Sequence, residues 1–207
     1  VIRIKSEPLI IPNKHLSSSK MISNHFSAYI KKYKNYFKKY KKNITNSKIA
    51  DPLPRIIILE GIGFLSIGLN KKEMQVSYDI FDAMKKVIIK ANLVSKFKSI
   101  NNTDIFKMEY WPLERAKLNN QNTKKFNGNV AVITGGAGKI GSAIANKFIN
   151  ENIEVILLDK NFKNLDINIK KKCLCIECDL TNNSQINKAL NKNLKLFGGI
   201  DLLIANS

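Results

Sequence analysis

The sequence contains few cysteines and has no long hydrophobic run. The three cysteines are Cys173, Cys175 and Cys178. Cys175 and Cys178 have a Cys-x-x-Cys spacing, but neither a second pair nor a nearby histidine completes a zinc site. We therefore expect free thiols that pack as small apolar side chains in a reducing, cytoplasmic compartment. No apolar run approaches the roughly 18 residues of a membrane span, so we expect no membrane partner.

Arginine is also scarce, although the chain is strongly basic. Only Arg3, Arg55 and Arg115 are arginines among 35 basic residues, and the net charge is +19. The excess lies in residues 1–127, which hold 25 Lys and Arg against 9 Asp and Glu. Surfaces that bind nucleic acid usually use arginine for bidentate contacts with bases and phosphates. We therefore attribute the charge to a composition rich in Lys, Asn and Ile, and expect no nucleic-acid partner.

The sequence has only two histidines, His15 and His25, and no signal-peptide core. Two histidines ten positions apart do not make a metal site, so we interpret them as hydrogen-bonding or surface residues and expect no metal. Ser17 to Ser19 is predicted to be a loop. Because the chain begins at Val1 without an initiator Met, we expect a piece of a longer protein.

The segment from Ser27 to Lys42 interleaves lysines with aromatic residues. Its apolar positions recur every three or four residues, which predicts an amphipathic helix whose aromatic face packs on a core. Interleaved lysines and aromatics are also typical of a surface that contacts RNA. A non-catalytic basic module that binds RNA or anionic surfaces through residues 31–42 therefore stays as the alternative to the packed helix.

Further elements are predicted before residue 119. A strand at 55–59 leads into a hairpin at 60–68, and an amphipathic helix follows at 71–92. Thr103 and Asp104 are expected to cap another helix that runs to Leu118 and is interrupted at Pro112. Residues 119–127 are polar and lack periodicity, so they are the predicted domain boundary.

A strand, a glycine-rich turn and a helix follow in residues 128–149. Residues 129–133 are apolar and β-branched, as in a strand buried on both faces of a parallel sheet. The turn runs from Thr134 to Gly138, and helical periodicity begins at Lys139. This order suits an anion, because a backbone without side chains can approach a pyrophosphate and the helix N-terminus presents free N–H groups.

The rest of the chain repeats the alternation. Strands are predicted at 153–158, 173–178 and 199–206, and a helix at 182–196. The fold class is therefore α/β, with an incomplete Rossmann-type doubly wound parallel sheet preceded by a smaller α+β segment. Asp159 lies about 20 residues beyond the glycines, where an acid that binds adenosine ribose is expected. Its charge would repel a 2′-phosphate, which favours NAD over NADP.

These residues resemble the short-chain dehydrogenases. Residues 134–141 are similar to that family's cofactor loop, although Lys139 replaces a glycine. Residues 179–181 resemble its segment with an adenine-contacting aspartate, and residues 203–207 resemble the start of its Asn-Asn-Ala-Gly segment. The cofactor-binding residues implied by the resemblance, together with Asp159, are Thr134, Gly135, Gly138, Lys139, Ile140, Gly141, Asp159, Asp179, Leu180 and Asn206.

A second resemblance covers most of the chain. Residues 54–64 and 109–118 are similar to the bifunctional class II aldolase/short-chain dehydrogenase proteins of the rhamnulose-phosphate aldolase/alcohol dehydrogenase type. His15 and Lys20 occur where that family has a Pro-Asp-His…Lys loop. The resemblance implies that residues 1–120 are the C-terminal part of an aldolase-like domain with linker helices. It also implies that residues 128–207 are the N-terminal half of an NAD-binding domain.

The same resemblance sets an expectation for catalysis. The parent protein would transfer hydride to or from a small sugar-derived alcohol or carbonyl, and we expect a homo-oligomer. Short-chain dehydrogenases use a serine and a Tyr-x-x-x-Lys pair, yet no tyrosine here has a lysine four positions later. We therefore expect the catalytic residues beyond Ser207, the zinc-binding histidines before Val1, and no activity from this chain alone.

Overall fold

The computed structural model describes residues 1–43, 48–119 and 124–206. The chain forms two compact units. The N-terminal unit comprises residues 1–68 and 72–122, and the C-terminal unit comprises residues 69–71 and 123–207. Within the described ranges, no helix combines the length and the apolar character that a membrane crossing requires.

A three-stranded sheet lies in the N-terminal unit. Strand β1 (Leu9–Ile11) pairs in parallel with β2 (Ile56–Leu59), which pairs antiparallel with β3 (Gly63–Ser66). The predicted hairpin is therefore confirmed. Gly61 occupies the left-handed region with φ +77°, which only glycine adopts readily, so the Gly-x-Gly here serves the turn.

Helix α1 (Ser19–Tyr40) begins earlier than predicted. The expectation of a loop at Ser19 and a helix start at Ser27 was wrong, because the Ser18 hydroxyl caps the helix by accepting from the Met21 N–H at 3.3 Å. Tyr33 and Phe37 are buried against Phe106 and Tyr110. The interpretation of this segment as an amphipathic helix that packs its aromatic face is thus confirmed.

Three more helices complete this unit, namely α2 (Lys71–Val94), α3 (Asn102–Glu109) and α4 (Pro112–Asn119). Phe81 of α2 is buried in a cluster with Ile4 and Ile56. The predicted cap at Thr103 and Asp104 was wrong by two positions. Asn101 is the cap instead, since its side-chain oxygen accepts from the Asp104 N–H at 2.9 Å.

The N-terminal unit also buries a chain of polar side chains. The Tyr33 hydroxyl donates to Glu109 Oε1 at 2.6 Å and lies 2.8 Å from the Tyr110 hydroxyl. Because Tyr33 gives its only proton to Glu109, Tyr110 must donate to Tyr33, and the Ala50 N–H donates to Tyr110 at 3.3 Å. Lys5 Nζ lies 3.8 Å from Glu109 Oε1 and 4.0 Å from the Tyr33 ring centroid. We call Lys5, Tyr33, Glu109 and Tyr110 the buried polar cluster.

Burial governs the protonation of this cluster. Removal from water lowers the pKa of Lys5 to about 8, against the opposing attraction of Glu109. Burial likewise raises the pKa of Tyr33, and the nearby Glu109 raises it further. The second carboxyl oxygen of Glu109 is buried and has no hydrogen-bond partner among the described residues. The protonation of these groups is therefore governed by burial and by their contacts with one another rather than by solvent.

The C-terminal unit contains a parallel sheet of four strands. In chain order these are β4 (Val130–Thr134), β5 (Glu154–Asp159), β6 (Leu174–Glu177) and β7 (Leu202–Ile204). Their order in the sheet is β6-β5-β4-β7, and all three pairings are parallel. The predicted α/β class with a parallel sheet is confirmed, although the strand predicted at 199–206 is shorter.

Three helices cover the two faces of this sheet. Helix α5 (Lys139–Asn150) and the short α6 (Ile167–Lys172) pack on the face that carries Ala131, Ile133, Val155 and Leu157. Helix α7 (Asn183–Phe197) packs on the opposite face, which carries Val130, Val132, Ile156 and Leu158. Alternate strand residues thus enter different layers, as in a doubly wound sheet.

Candidate functional site

The glycine-rich turn lies at the carboxyl end of β4, one of the two inner strands of its sheet. Gly135 turns the chain with φ +59°, in the left-handed region. Gly138 is the N-cap of α5 and offers no side chain to the first N–H groups of the helix. The arrangement leaves backbone donors and the positive end of the helix dipole at this edge of the sheet.

Gly136 in the turn and Gly141 in the first helical turn of α5 have no space for a side chain. A Cβ at Gly141 would lie 2.3 Å from the Gly135 carbonyl oxygen, and a Cβ at Gly136 would lie 2.7 Å from Leu157 Cβ. Position 138 is less restricted, because a Cβ there would lie 3.3 Å from the Gly135 carbonyl oxygen. The spacing of Gly135 and Gly141 therefore permits close contact between the turn and the first helical turn of α5.

Asn206, after β7, is joined to the start of the turn. Its backbone N–H donates to Thr134 Oγ1 at 3.0 Å, and its side-chain amide donates to the Gly135 carbonyl at 3.2 Å. Thr134 Oγ1 in turn donates to the Ile204 carbonyl at 3.4 Å. Three of the residues selected from the sequence thus lie together, although Asn206 follows Thr134 by more than 70 positions.

Asp159 connects the turn to β5. One carboxylate oxygen accepts from the Ala137 N–H at 2.9 Å, and the other accepts from the Lys160 N–H at 2.7 Å. Each oxygen of a carboxylate can accept a second hydrogen bond, so Asp159 keeps capacity for further donors. This contact with the turn was not apparent in the sequence, where Asp159 was singled out only by its distance from the glycines.

Asp179 follows β6 at the same edge of the sheet. Its Oδ1 accepts from the Thr181 N–H at 3.0 Å and from the Thr181 hydroxyl at 2.8 Å, and its Oδ2 lies 3.3 Å from Lys160 Nζ. The bonds from Thr181, then the Lys160 ammonium, hold the pKa of this carboxyl below its usual range. Leu180 beside it is half-buried against the cluster of Cys178 and Ala189.

Lys139 and Ile140 form the first exposed turn of α5. Ile140 is 68% exposed, which is high for a large apolar side chain. Because α5 already begins at Lys139, the backbone at this position is helical and accepts any L-residue. The glycine that the resemblance led us to expect is therefore not required here by the backbone, and the lysine adds a positive charge at the helix N-terminus.

The cysteines lie in or beside β6, where the backbone N–H of Cys178 donates to the Asp159 carbonyl at 2.8 Å, whereas both histidines belong to the N-terminal unit. The three thiols are free, and burial raises the pKa of Cys173 to about 12, so it is a poor nucleophile. His15 Nδ1 lies 2.8 Å from His25 Nε2, a contact that their spacing did not reveal. In the part of the chain that the structure describes, no three His, Cys, Asp or Glu residues are grouped to hold a metal ion.

Within residues 31–42 of the basic segment, no aromatic side chain is fully exposed. Tyr33 and Phe37 are buried, and Tyr36 and Tyr40 are half-buried against Phe106. Bases stack on exposed rings in proteins that bind single-stranded nucleic acid. The lysines of α1 are mostly exposed, but the rings that would complete an RNA surface form part of the core.

Comparisons with known proteins assign both parts of the chain. Residues 1–118 match the family described as aldolase class II, second domain, and residues 129–207 match the short chain dehydrogenases. The uncharacterized oxidoreductase YuxG of Bacillus subtilis (strain 168) is 28% identical over 196 residues, which cover 90% of this chain and 28% of that protein. None of these three matches supports the RNA-binding alternative.

Shorter matches cover the C-terminal unit. The uncharacterized oxidoreductase Mb1385 of Mycobacterium bovis (strain ATCC BAA-935 / AF2122/97) is 31% identical over 86 residues, or 39% of this chain and 35% of that protein. A crystal structure of NAD+-bound xylitol dehydrogenase is 32% identical, covers 39% of this chain and 33% of its own, and has a TM-score of 0.36. The chain spans 28% and 35% of the two curated relatives. The chain belongs to the family described as aldolase class II, second domain, and the segment that follows this domain matches the short chain dehydrogenases.

Proposed function

We propose that the C-terminal unit binds a dinucleotide, NAD in preference to NADP, as the nucleotide-binding part of an oxidoreductase. The observation that carries this proposal is the close approach of Gly141 to the Gly135 carbonyl, at an edge where Asp159 and Asn206 both bond to the same turn. Such a turn before a helix N-terminus favours the binding of a pyrophosphate, because the backbone N–H donors and the positive end of the helix dipole are directed at the same position.

Each residue then has a distinct role. Backbone N–H groups at the start of α5 hold the pyrophosphate, and Lys139 adds attraction. Asp159 accepts from the ribose hydroxyls with its remaining lone pairs, and its charge disfavours a 2′-phosphate. Asp179 and Leu180 lie on the adenine side, and Thr134, Ile140 and Asn206 shape the turn. Bound NAD would supply the hydride acceptor.

For the whole protein we propose hydride transfer to or from a small sugar-derived substrate, in a cytoplasmic homo-oligomer. The aldolase second domain and the dehydrogenase segment on one chain support this assignment. We place the domains at 1–120 and 128–207. Because residues 1–207 contain no Tyr-x-x-x-Lys, we expect this chain alone to bind NAD without oxidising an alcohol.

The test is a calorimetric titration of the 207-residue chain with NAD and with NADP. We expect NAD to bind more tightly than NADP. Asp159→Ser should reduce the ratio of the two affinities by about tenfold or more, since it removes the charge that repels a 2′-phosphate and the acceptors for the ribose hydroxyls. Glu177→Gln is the matched control, because Glu177 pairs in register with Asp159 on the neighbouring strand and is exposed. Mixed with NAD and an alcohol, the chain is expected to produce no absorbance from NADH.

Three results would contradict the proposal. A folded chain that binds neither dinucleotide would remove it, as would equal loss of preference in Asp159→Ser and Glu177→Gln. Production of NADH would disprove the expected inactivity of the chain alone. Because Asp159 also bonds to Ala137, circular dichroism of each variant is needed to separate a lost ribose contact from a displaced turn.

A further inference from the structure

Helix α2 carries a second apolar face besides the one that packs in its own unit. Phe81 is buried, and Met84 packs beside it against Ile4 and Ile56. The second face has an apolar residue at every third or fourth position and lies roughly 100° around the helix from the first. We call it the outer stripe, and its members are Val76, Ile80, Ala83, Val87, Ala91 and Val94.

The outer stripe is exposed along most of its length. Ile80 is 38% exposed, Val87 is 61% exposed and Val94 is 90% exposed. From Val76 to Val94 it extends about 27 Å at 1.5 Å per residue. Isolated exposed apolar residues are common, but a continuous stripe of this length marks a surface that meets another protein.

The charges on α2 are distributed unevenly along its length. Lys71, Lys72 and Glu73 lie in its first turn; after that turn, Asp79 and Asp82 come first and Lys85, Lys86 and Lys90 follow. Asp82 is paired with both Lys85 at 2.7 Å and Lys86 at 2.6 Å on the same helix. Asp79 and Lys90 are both exposed, and helical geometry places them on the same flank of the outer stripe.

This distribution makes the surface complementary to itself. In an antiparallel pair of α2 helices related by a twofold axis near residue 85, Val76 faces Val94 of the other copy and Ala83 faces Val87. In the same register Asp79 lies beside Lys90 of the other copy, and this pair occurs twice. The apolar pairs and the charged pair thus form in the same alignment of the two helices, to within one residue.

We propose that the outer stripe is a self-association surface, and that its occupant is a second copy of this chain bound antiparallel through α2. A twofold interface brings one patch against itself, so the patch must carry both signs of charge. Lys86 lies close to the axis, and its own Asp82 offsets its charge there. Apolar contacts along the stripe supply the stability, and the two Asp79–Lys90 pairs fix the direction.

The experiment is sedimentation equilibrium of the full 207-residue chain with reciprocal charge changes. The parent chain is expected to form a dimer, and Val87→Lys to be monomeric. Asp79→Lys and Lys90→Asp should each raise the dimer dissociation constant by about tenfold or more, because each places like charges together twice. The double variant Asp79→Lys/Lys90→Asp should restore dimerisation, since the pair is only reversed. Lys147→Asp on α5 is the control of equal charge change.

Several outcomes would overturn the proposal. A parent chain that stays monomeric at high micromolar concentration would show that the outer stripe does not bind a second copy. A dimer unaffected by Val87→Lys would place the contact elsewhere. Failure of the double variant to recover, with circular dichroism showing an intact helix, would rule out the antiparallel register. None of these results bears on NAD binding, which is measured separately.

Discussion

One buried cluster of the N-terminal unit differs in composition from the clusters of the C-terminal unit. In the C-terminal unit the buried strand residues are aliphatic, and successive residues alternate between two helical layers. In the N-terminal unit aromatic rings surround the buried polar cluster, whose members come from positions 5, 33, 109 and 110. Aliphatic packing is non-directional, whereas hydrogen bonds and ion pairs require specific partners. Removing one side chain of a hydrogen bond or ion pair in the N-terminal unit should therefore lower the free energy of unfolding more than removing an aliphatic contact in the C-terminal unit.

The largest expected effect is from Glu109→Ala. Removing one partner of a buried pair leaves the other charge uncompensated, which costs about 3–5 kcal/mol. Here Lys5 would keep its buried ammonium without Glu109, and Tyr33 would lose its acceptor. Urea unfolding followed by the fluorescence of Trp111, the only tryptophan, should report this loss.

The chain offers a matched control for that measurement. Glu7 and Lys32 form the same kind of pair on the surface, where both side chains are more than half exposed. Exposed pairs contribute about 0–1 kcal/mol, so Glu7→Ala should leave the transition nearly unchanged. Equal destabilisation by the two substitutions would mean that the buried polar cluster contributes no more to stability than the exposed ion pair.

The next effect concerns the C-terminal unit and its glycine turn. Gly141→Ala introduces a Cβ 2.3 Å from the Gly135 carbonyl oxygen, so either the turn or α5 must move. Such crowding costs about 1–3 kcal/mol. Thermal unfolding should detect it, and the affinity for NAD should fall with it.

Gly199→Ala is the comparison for this substitution. A Cβ at Gly199 meets nothing within 4 Å, so its stability should stay close to that of the parent chain. If Gly141→Ala were as stable as Gly199→Ala, the close approach at the turn would not constrain the fold.

The smallest expected effect is on pH dependence, and it should separate the units. Burial lowers the pKa of Lys5 to about 8 from its ordinary 10.5, so between these values the unfolded chain binds more protons than the folded one. Stability of the N-terminal unit should therefore rise, by about 1–2 kcal/mol from pH 8 to 10. Above pH 10 the trend reverses, because burial raises the pKa of Tyr33 and only the unfolded chain ionises there.

Lys5→Met should abolish the rise between pH 8 and 10, because no buried ammonium remains to lose its proton. Urea midpoints at half-unit pH intervals would measure this. A rise of the same size in the variant would assign the effect to another group.

The sequence predicted the C-terminal unit well because its elements follow local patterns. Val130–Thr134 and the centre of Glu154–Asp159 are continuous apolar runs, so the hydrophobic pattern alone indicates buried strands. Helix α6 was not predicted, since Ile167–Lys172 is short and half lysine, with too few apolar residues for a period. The last strand was predicted too long, because its pairing with β4 spans only Leu202–Ile204.

In the N-terminal unit, tertiary contacts decided what the pattern could not. Lys5 and Glu109 look like ordinary solvated charges in the sequence, and only the fold brings them within 3.8 Å. The start of α1 was missed because three serines suggested a loop, whereas Ser18 acts as its cap. At the candidate site the residue types were readable, but the bond from Ala137 to Asp159 depends on strand register and was not.

The pairing of β7 with β4 also bears on synthesis. A ribosome makes the chain from the N-terminus, at about 5–20 residues per second. Asn206 bonds to the Thr134 hydroxyl and to the Gly135 carbonyl. It is therefore synthesised, and leaves the exit tunnel, several seconds after these two residues. Until then β4 has a neighbour on one side only, β5. A nascent chain should consequently pair β4 with β5 early, and pair β4 with β7 and bond Asn206 to the glycine turn late.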